Sequence, residues 1–440
     1  MKNKTLLVTC ALFIMLFSST SFASNANMPI RQSDEYQLPV INPDLLNSEE
    51  NVSLLSAAEN TEVQNTFSLQ SEGPQNSAFI NIPLDFQVTD SAFDPEKPVV
   101  YLTDKVNKKL HRVNYSTGQT TEAALTFEYE PESLTYANGE LYVSLLISGH
   151  QWSGSIEKGA IAIVDPDNLS IKEQFDVNID PFDIEADSKN IYITSGSNQS
   201  SYIKSFSRET KQEVSSTYIR HLSYSKLHPT LNRIYTIDTD SSPRDLHAYN
   251  ISDGIFTDPE YAGGGYDSPY HGDYPMTVDF KISPDGKYIF NGAGTIFYCD
   301  QSKSKDMYYK HTLNTYFNDI SFDLQNNIFF TAKTYGIDIY SYSIMKKIGS
   351  IDINGYVKRL NYSGDMLTAI CETFSNEYFI VAISEIENAL LQESVIGGIM
   401  FKGIISGIVY DSARVKAYAT DKALNRLYVI NLVDNKIERT

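Results

Sequence analysis

One short phrase returns eight times along the chain, and its return constrains the fold more than any single residue does. It consists of an apolar run, a turn carrying Asp, Asn or Gly, and an aromatic-rich strand ending in Thr or Ser. Near the start it reads Phe93-Asp94-Pro95, then Tyr101-Leu102-Thr103-Asp104; near the end it reads Tyr410-Asp411-Ser412, then Tyr418-Ala419-Thr420-Asp421. The residues that open the second strand of each unit are Tyr101, Tyr142, Tyr192, Tyr235, Ile289, Phe329, Leu367 and Tyr418, at intervals of 38 to 54 residues. A repeat of this length marks a unit that cannot bury its own faces and must stack on its neighbours.

The units are built of strands. An inner strand such as Asp319-Ile320-Ser321-Phe322 precedes each aligned residue, and a third strand such as Ala160-Ile161-Ala162-Ile163-Val164 follows it. Tight turns such as Ser283-Pro284-Asp285-Gly286 reverse the chain between them. The expected fold is all-β, a β-propeller of four-stranded blades with eight blades, seven being the alternative count because the unit around Leu367 is the weakest. The last unit barely supplies a fourth strand at Lys436–Thr440, whereas an orphan strand stands upstream at 77–84. An open ring would expose strand edges, so 77–84 is expected to be the outer strand of the last blade and to close the ring.

With these phrases in view, the chain resembles the YVTN-type propellers, bacterial and archaeal relatives of the WD-type and quinoprotein-like propellers. The resemblance covers about residues 77–440 and rests on Tyr101-Leu102-Thr103-Asp104, Tyr418-Ala419-Thr420-Asp421 and Ser283-Pro284-Asp285-Gly286-Lys287-Tyr288. It implies the fold. It leaves function open, since such propellers include surface and binding proteins as well as lactonases and lyases.

The N-terminus reads as a secretory signal peptide over 1–23. Lys2 and Lys4 precede an apolar run from Leu6 to Phe17, and small residues lead to a cleavage site after Ala23. Residues 24–76 are rich in Asn, Ser, Glu and Gln without a sustained period, as expected of a flexible polar leader. The propeller then occupies 77–440. The expected product is secreted, extracellular or associated with the cell surface, with no membrane span. Without Lys2 and Lys4 the chain carries 33 basic against 55 acidic residues, a formal charge of −22. Such a surface repels phosphate backbones, so no nucleic-acid partner is expected. Cys299 and Cys371 lie two units apart and are expected to be buried thiols in a monomer.

In a propeller the loops joining strands 2 and 3, and those joining strand 4 to the next blade, share one face. Three insertions map there: Leu146 to Gly159 with His150 and Trp152; Asp238 to Asp245; and Thr257 to Pro275 with Tyr266, Tyr270 and His271. Arg220 and His221 join them as candidates for ligand contact. Asp238, Asp240 and Ser242 imitate the start of a calcium loop, but Pro243 stands where such a loop needs Gly. At equivalent positions of the inner strands lie Asp90, Ser133, Asp183, Tyr224, Asp279, Asp319, Arg359 and Gly407. Four of these, Asp90, Asp183, Asp279 and Asp319, are the candidate ligands for a divalent cation; the competing role is bracing of neighbouring backbone, which Arg359 favours. No cofactor is otherwise expected. No Gly-x-Ser-x-Gly and no His-Glu-x-x-His occurs. The expected function is an exported, non-enzymatic propeller that binds a protein or glycan at its loop face. The alternative is a metal-assisted lactonase- or lyase-type enzyme at the mouth of the central channel.

Overall fold

The repeat phrase becomes the second strand of each sheet. Val99–Asp104, Asn190–Ser195 and Arg233–Asp238 are buried at every position. A strand buried on both faces needs a sheet packed against each side, and this explains why the phrase reads as a continuous apolar run without alternation. Its aromatic residue lies at the blade interface, with its hydroxyl satisfied. Tyr192 donates to Asp187 at 2.6 Å and Tyr235 to Asp306 at 2.7 Å. Turns supply the reversals: in Ser283-Pro284-Asp285-Gly286, Gly286 has φ +68° and its amide donates to Ser283 O at 2.8 Å.

A computed structural model describes residues 79–440 except 119–122, 155, 258–264, 390–392, 397–398, 403–404, 412 and 434–435. The expected signal peptide and leader, residues 77–78, and residues 258–264 of the third insertion lie outside the described residues. Among those described, all eight repeat units form antiparallel sheets of four strands. The fourth sheet carries an extra short strand, Tyr266–Asp267, and a hairpin of Glu393–Ile396 and Ile399–Lys402 precedes the eighth.

Seven of these sheets pack face to face in a closed circle, each neighbouring pair sharing a buried cluster. Tyr101 of the first meets Val143 of the second; Ile161 of the second meets Ile184 of the third; Ile203 of the third meets Ile234 of the fourth. Tyr235 meets Phe280 of the fifth, Phe290 meets Phe329 of the sixth, and Phe330 meets Leu360 of the seventh. The circle then returns to its start, because Ile370 and Ala382 of the seventh sheet pack on Val100 and Val113 of the first.

The orphan strand performs this closure. Phe79–Leu84 pairs antiparallel with Tyr378–Ile383, the third strand of the seventh sheet, in the register Ile82 to Ile380 and Leu84 to Tyr378. Its partner is not the C-terminal sheet. Two features of the chain explain why: Lys436–Arg439 already fills the outer edge of the C-terminal sheet, while the seventh unit turns into a 3-10 segment at Ile386–Ala389 after three strands. The weak seventh unit is therefore the one that lacks a fourth strand of its own.

The eighth sheet follows the closed circle. Its second strand, Lys416–Asp421, alternates between buried and more exposed positions and is covered on one face. It meets the other sheets through the turn before its third strand. There Ala423 and Leu424 join the cluster of the sixth and seventh sheets, and Ala423 O accepts hydrogen bonds from Asn327 Nδ2 at 2.6 Å and Ser341 Oγ at 2.9 Å. Gly407, aligned by sequence with the channel residues, belongs to this sheet and does not line the channel.

Candidate functional site

The inner strands of the seven circularly packed sheets line a central channel, which opens into a cavity of about 240 Å³. Asp90, Ser133, Asp183, Tyr224, Asp279, Asp319 and Arg359 all line it, one from each sheet. The repeat alignment thus brings together residues spread over 270 positions of sequence. Three of the carboxylates reach across to the next sheets. Asp90 Oδ2 accepts from the Leu134 amide at 2.9 Å and from Ser133 Oγ at 3.1 Å. Asp183 Oδ2 accepts from the Ser225 amide at 2.6 Å and its hydroxyl at 2.8 Å, while Oδ1 takes Ser133 Oγ at 3.1 Å. Asp319 Oδ2 accepts from the Leu360 amide at 2.8 Å and pairs with Lys281. In each case the donor amide belongs to the residue after the aligned position of the following sheet.

Asp279 is held differently, among the charges of Arg359, Asp319 and Lys281. Burial raises the pKa of Asp90 and of Asp279 above the ordinary carboxylate value, and the positive charge of Arg359 opposes that rise. One layer further, Glu185 pairs with Lys226 at 2.6 Å; burial raises the Glu185 carboxyl, with Lys226 opposing. Among the described residues, no group of three or more His, Cys, Asp or Glu side chains is arranged to hold a metal ion.

Above the channel, loops from three sheets meet around Trp152, the single tryptophan of the chain. Trp152 is 56% exposed. The Arg220 guanidinium lies over its ring at 5.6 Å from the centroid, and His221 meets it edge-on at 5.1 Å. Asp240 organises both: it takes a two-point hydrogen bond from Arg220, 2.9 Å at each oxygen, and lies 3.3 Å from His221 Nε2. The carboxylates that imitated a calcium loop are thus engaged within the protein, since Asp238 accepts the Ser241 amide at 3.1 Å.

His150 ties this cluster to the channel mouth. Its Nδ1 lies 2.9 Å from Asp180 and its Nε2 3.5 Å from Glu132, a residue of the channel rim. Its ring also packs edge-on against Phe182, which in turn lies 5.0 Å from Tyr224. Burial pulls the imidazole toward the neutral form, but the hydrogen bond from its ring to Asp180 and the nearby carboxylate of Glu132, with their charges, outweigh this and hold its pKa near 9. Only glycine fits beneath it, since a Cβ on Gly196 would stand 2.2 Å from the ring.

The third insertion separates. Tyr266, expected on the loop face, is buried: pairing of Tyr266–Asp267 with the fourth sheet draws it inward, and its hydroxyl donates to Asp306 at 2.8 Å. Tyr270 stacks edge-on with Tyr274 and accepts a hydrogen bond from the Tyr309 amide. His271 is exposed, 3.4 Å from Asp245. These two do not join the Trp152 cluster, although a Cβ added at Gly272 would stand 3.1 Å from Pro243 of the neighbouring insertion.

Sequence reading missed Glu132, Phe182, Asp180 and Gly196. A signal existed for the first two: each directly precedes an aligned channel residue, so each falls on the rim.

No family model and no curated protein matches the chain. Among solved structures 1057 chains match. One is a hydrazine synthase from Kuenenia stuttgartiensis, a β-propeller-containing protein, at 14% identity and a TM-score of 0.50, covering 68% of this chain and 96% of that one. At that identity the likeness supports a propeller-like fold and leaves function to the site.

Proposed function

We propose that the chain is a YVTN-type propeller that is exported and acts as a non-enzymatic binding protein, capturing a protein or glycan partner on its loop face. The observation that carries this reading is the Trp152 cluster. Side chains from three different sheets hold an exposed indole in one place, which is the construction expected of a contact anchor on a rigid scaffold. The N-terminal Lys2, Lys4 and the apolar run to Phe17 support export.

The test is binding of the purified protein to intact cells and to isolated envelope material, compared with Trp152→Ala and Arg220→Ala. The variants should keep the far-UV spectrum and lose binding; unchanged binding would argue against this face. The metal-assisted lactonase or lyase is the competing reading. It is less favoured because backbone amides, hydroxyls and Lys281 already engage three of the four channel aspartates. Turnover of a lactone or ester panel that is lost on chelation would overturn the binding reading.

A further inference from the structure

Across the channel mouth from Trp152 stands a second aromatic group that no sequence argument reached. Tyr335 lies between the second and third strands of the sixth sheet, Phe374 lies between those of the seventh, and Tyr356 opens the inner strand of the seventh. These are the connections that carry Trp152 in the second sheet, so all share the loop face. The three rings form one body, with centroid separations of 5.4, 5.7 and 5.3 Å. The hydroxyls of Tyr335 and Tyr356 lie 3.4 Å apart. Phe374 is 73% exposed and Tyr335 49%. Burying such rings is what ordinarily stabilises a fold, so leaving them in water calls for an occupant.

Two observations point to its chemistry. First, the exposed large apolar side chains described on the loop face of the fifth to seventh sheets are all aromatic: Tyr316, Tyr335 and Phe374. Flat π-faces suit the C–H faces of a sugar ring, and no exposed large aliphatic side chain described on the loop face of these three sheets accompanies them to extend an apolar contact. Second, Tyr335 forms one wall of a shallow hollow lined also by Lys333, Thr334, Asp338, Lys347, Ser350 and Asp352, together with the buried Ile337 and Ile351. In it Lys347 meets Asp338 at 2.6 Å, and beside the rings Lys358 meets Glu372 at 2.8 Å. A net-neutral rim of hydroxyls and ion pairs can donate to and accept from ligand hydroxyls. The acidic channel beside it and the formal charge of −20 repel a polyanion.

We propose that Tyr335, Tyr356 and Phe374 form a stacking shelf for a neutral oligosaccharide that lies across the channel mouth toward Trp152. The inference rests on the loop-face reading and narrows its partner to a glycan. The test is calorimetric titration of the full chain with neutral hexaoses of glucose, N-acetylglucosamine, mannose and galactose, and with a heparin hexasaccharide as polyanionic probe. At least one neutral hexaose should bind. Phe374→Ala and Tyr335→Ala should weaken it about tenfold or more at unchanged thermal midpoint, and the polyanion should not bind. No binding by any neutral hexaose, wild-type affinity in both variants, or preference for the polyanion overturns the shelf. Trp152→Ala in the same series separates the two readings. Binding lost with Trp152→Ala alone keeps the loop face and removes the shelf, while binding lost with Phe374→Ala alone keeps the shelf and removes the Trp152 anchor.

Discussion

Removing the side chain of Ile82 should loosen the whole ring, although Ile82 lies in a six-residue strand close to the start of the described chain. Ile82 is fully buried, in a cluster that spans the seventh and first sheets with Leu84, Val100, Ile370 and Ile380. Trimming a buried Ile to Ala removes its transfer free energy and leaves a cavity, together about 2–5 kcal/mol. The cost should fall near the upper end, because the cluster joins the two sheets where the circle closes and both are pinned by their own ladders. Removing residues 1–86 goes further. It deletes the ladder to Tyr378–Ile383 and the buried side chains Ile82, Leu84 and Phe86, each worth about 1.5–3 kcal/mol, and it bares an apolar edge. Removing 405–440 instead takes away a sheet covered on one face and should leave the seven-sheet circle standing. Calorimetric melting of the full chain, Ile82→Ala and both truncations provides the assay. A midpoint lowered by several degrees in Ile82→Ala, severe loss or insolubility without 1–86, and a retained main transition without 405–440 are expected. Equal midpoints for the full chain and the form lacking 1–86, or collapse only on removing 405–440, would refute closure at the seventh sheet.

Two further outcomes follow from the site. His150 has a folded pKa near 9, above its ordinary value of about 6.5, so its ion pairs with Asp180 and Glu132 contribute stability that is fully present below about pH 6.5 and lost as pH rises through about 9. Trp152 fluorescence should shift over that window, and His150→Gln should abolish the shift; a pH-independent signal in the parent protein would sink this assignment. Asp183→Ala strands the Ser225 amide and hydroxyl inside the channel wall and should cost about 1–3 kcal/mol in denaturant unfolding. If the channel aspartates act as braces, millimolar calcium should leave the midpoint of the parent nearly unchanged. A saturable calcium stabilisation lost in Asp183→Ala and Asp319→Ala would instead establish a cation site.

The repeat by itself determined the blade, its strand order and the positions that converge on the channel. Spacing and the double-sided apolar run are local properties, so Asp90, Asp183, Asp279 and Asp319 could be aligned without coordinates. The sequence also carried the orphan strand and the need for an edge to receive it. Which edge received it was a tertiary matter. Phe79–Leu84 goes to the sheet that lacks a fourth strand, and that lack shows only once Ile386–Ala389 is seen to leave the ladder. The loop face divides in the same way. Trp152 and His150 stood out by rarity and by the length of their insertion, but Arg220 and Asp240 come from the third and fourth sheets and Asp180 from the connection to the third, brought near by ring geometry, while Glu132 comes from the inner strand of their own sheet. Tyr266 looked like a surface aromatic until strand pairing buried it. Tyr335, Tyr356 and Phe374 span 39 positions of sequence, two in short turns and one at the start of a strand; only the packing of the sixth sheet on the seventh makes them one surface. Periodicity is written in the order of residues, whereas contacts between different blades depend on how the ring brings them round.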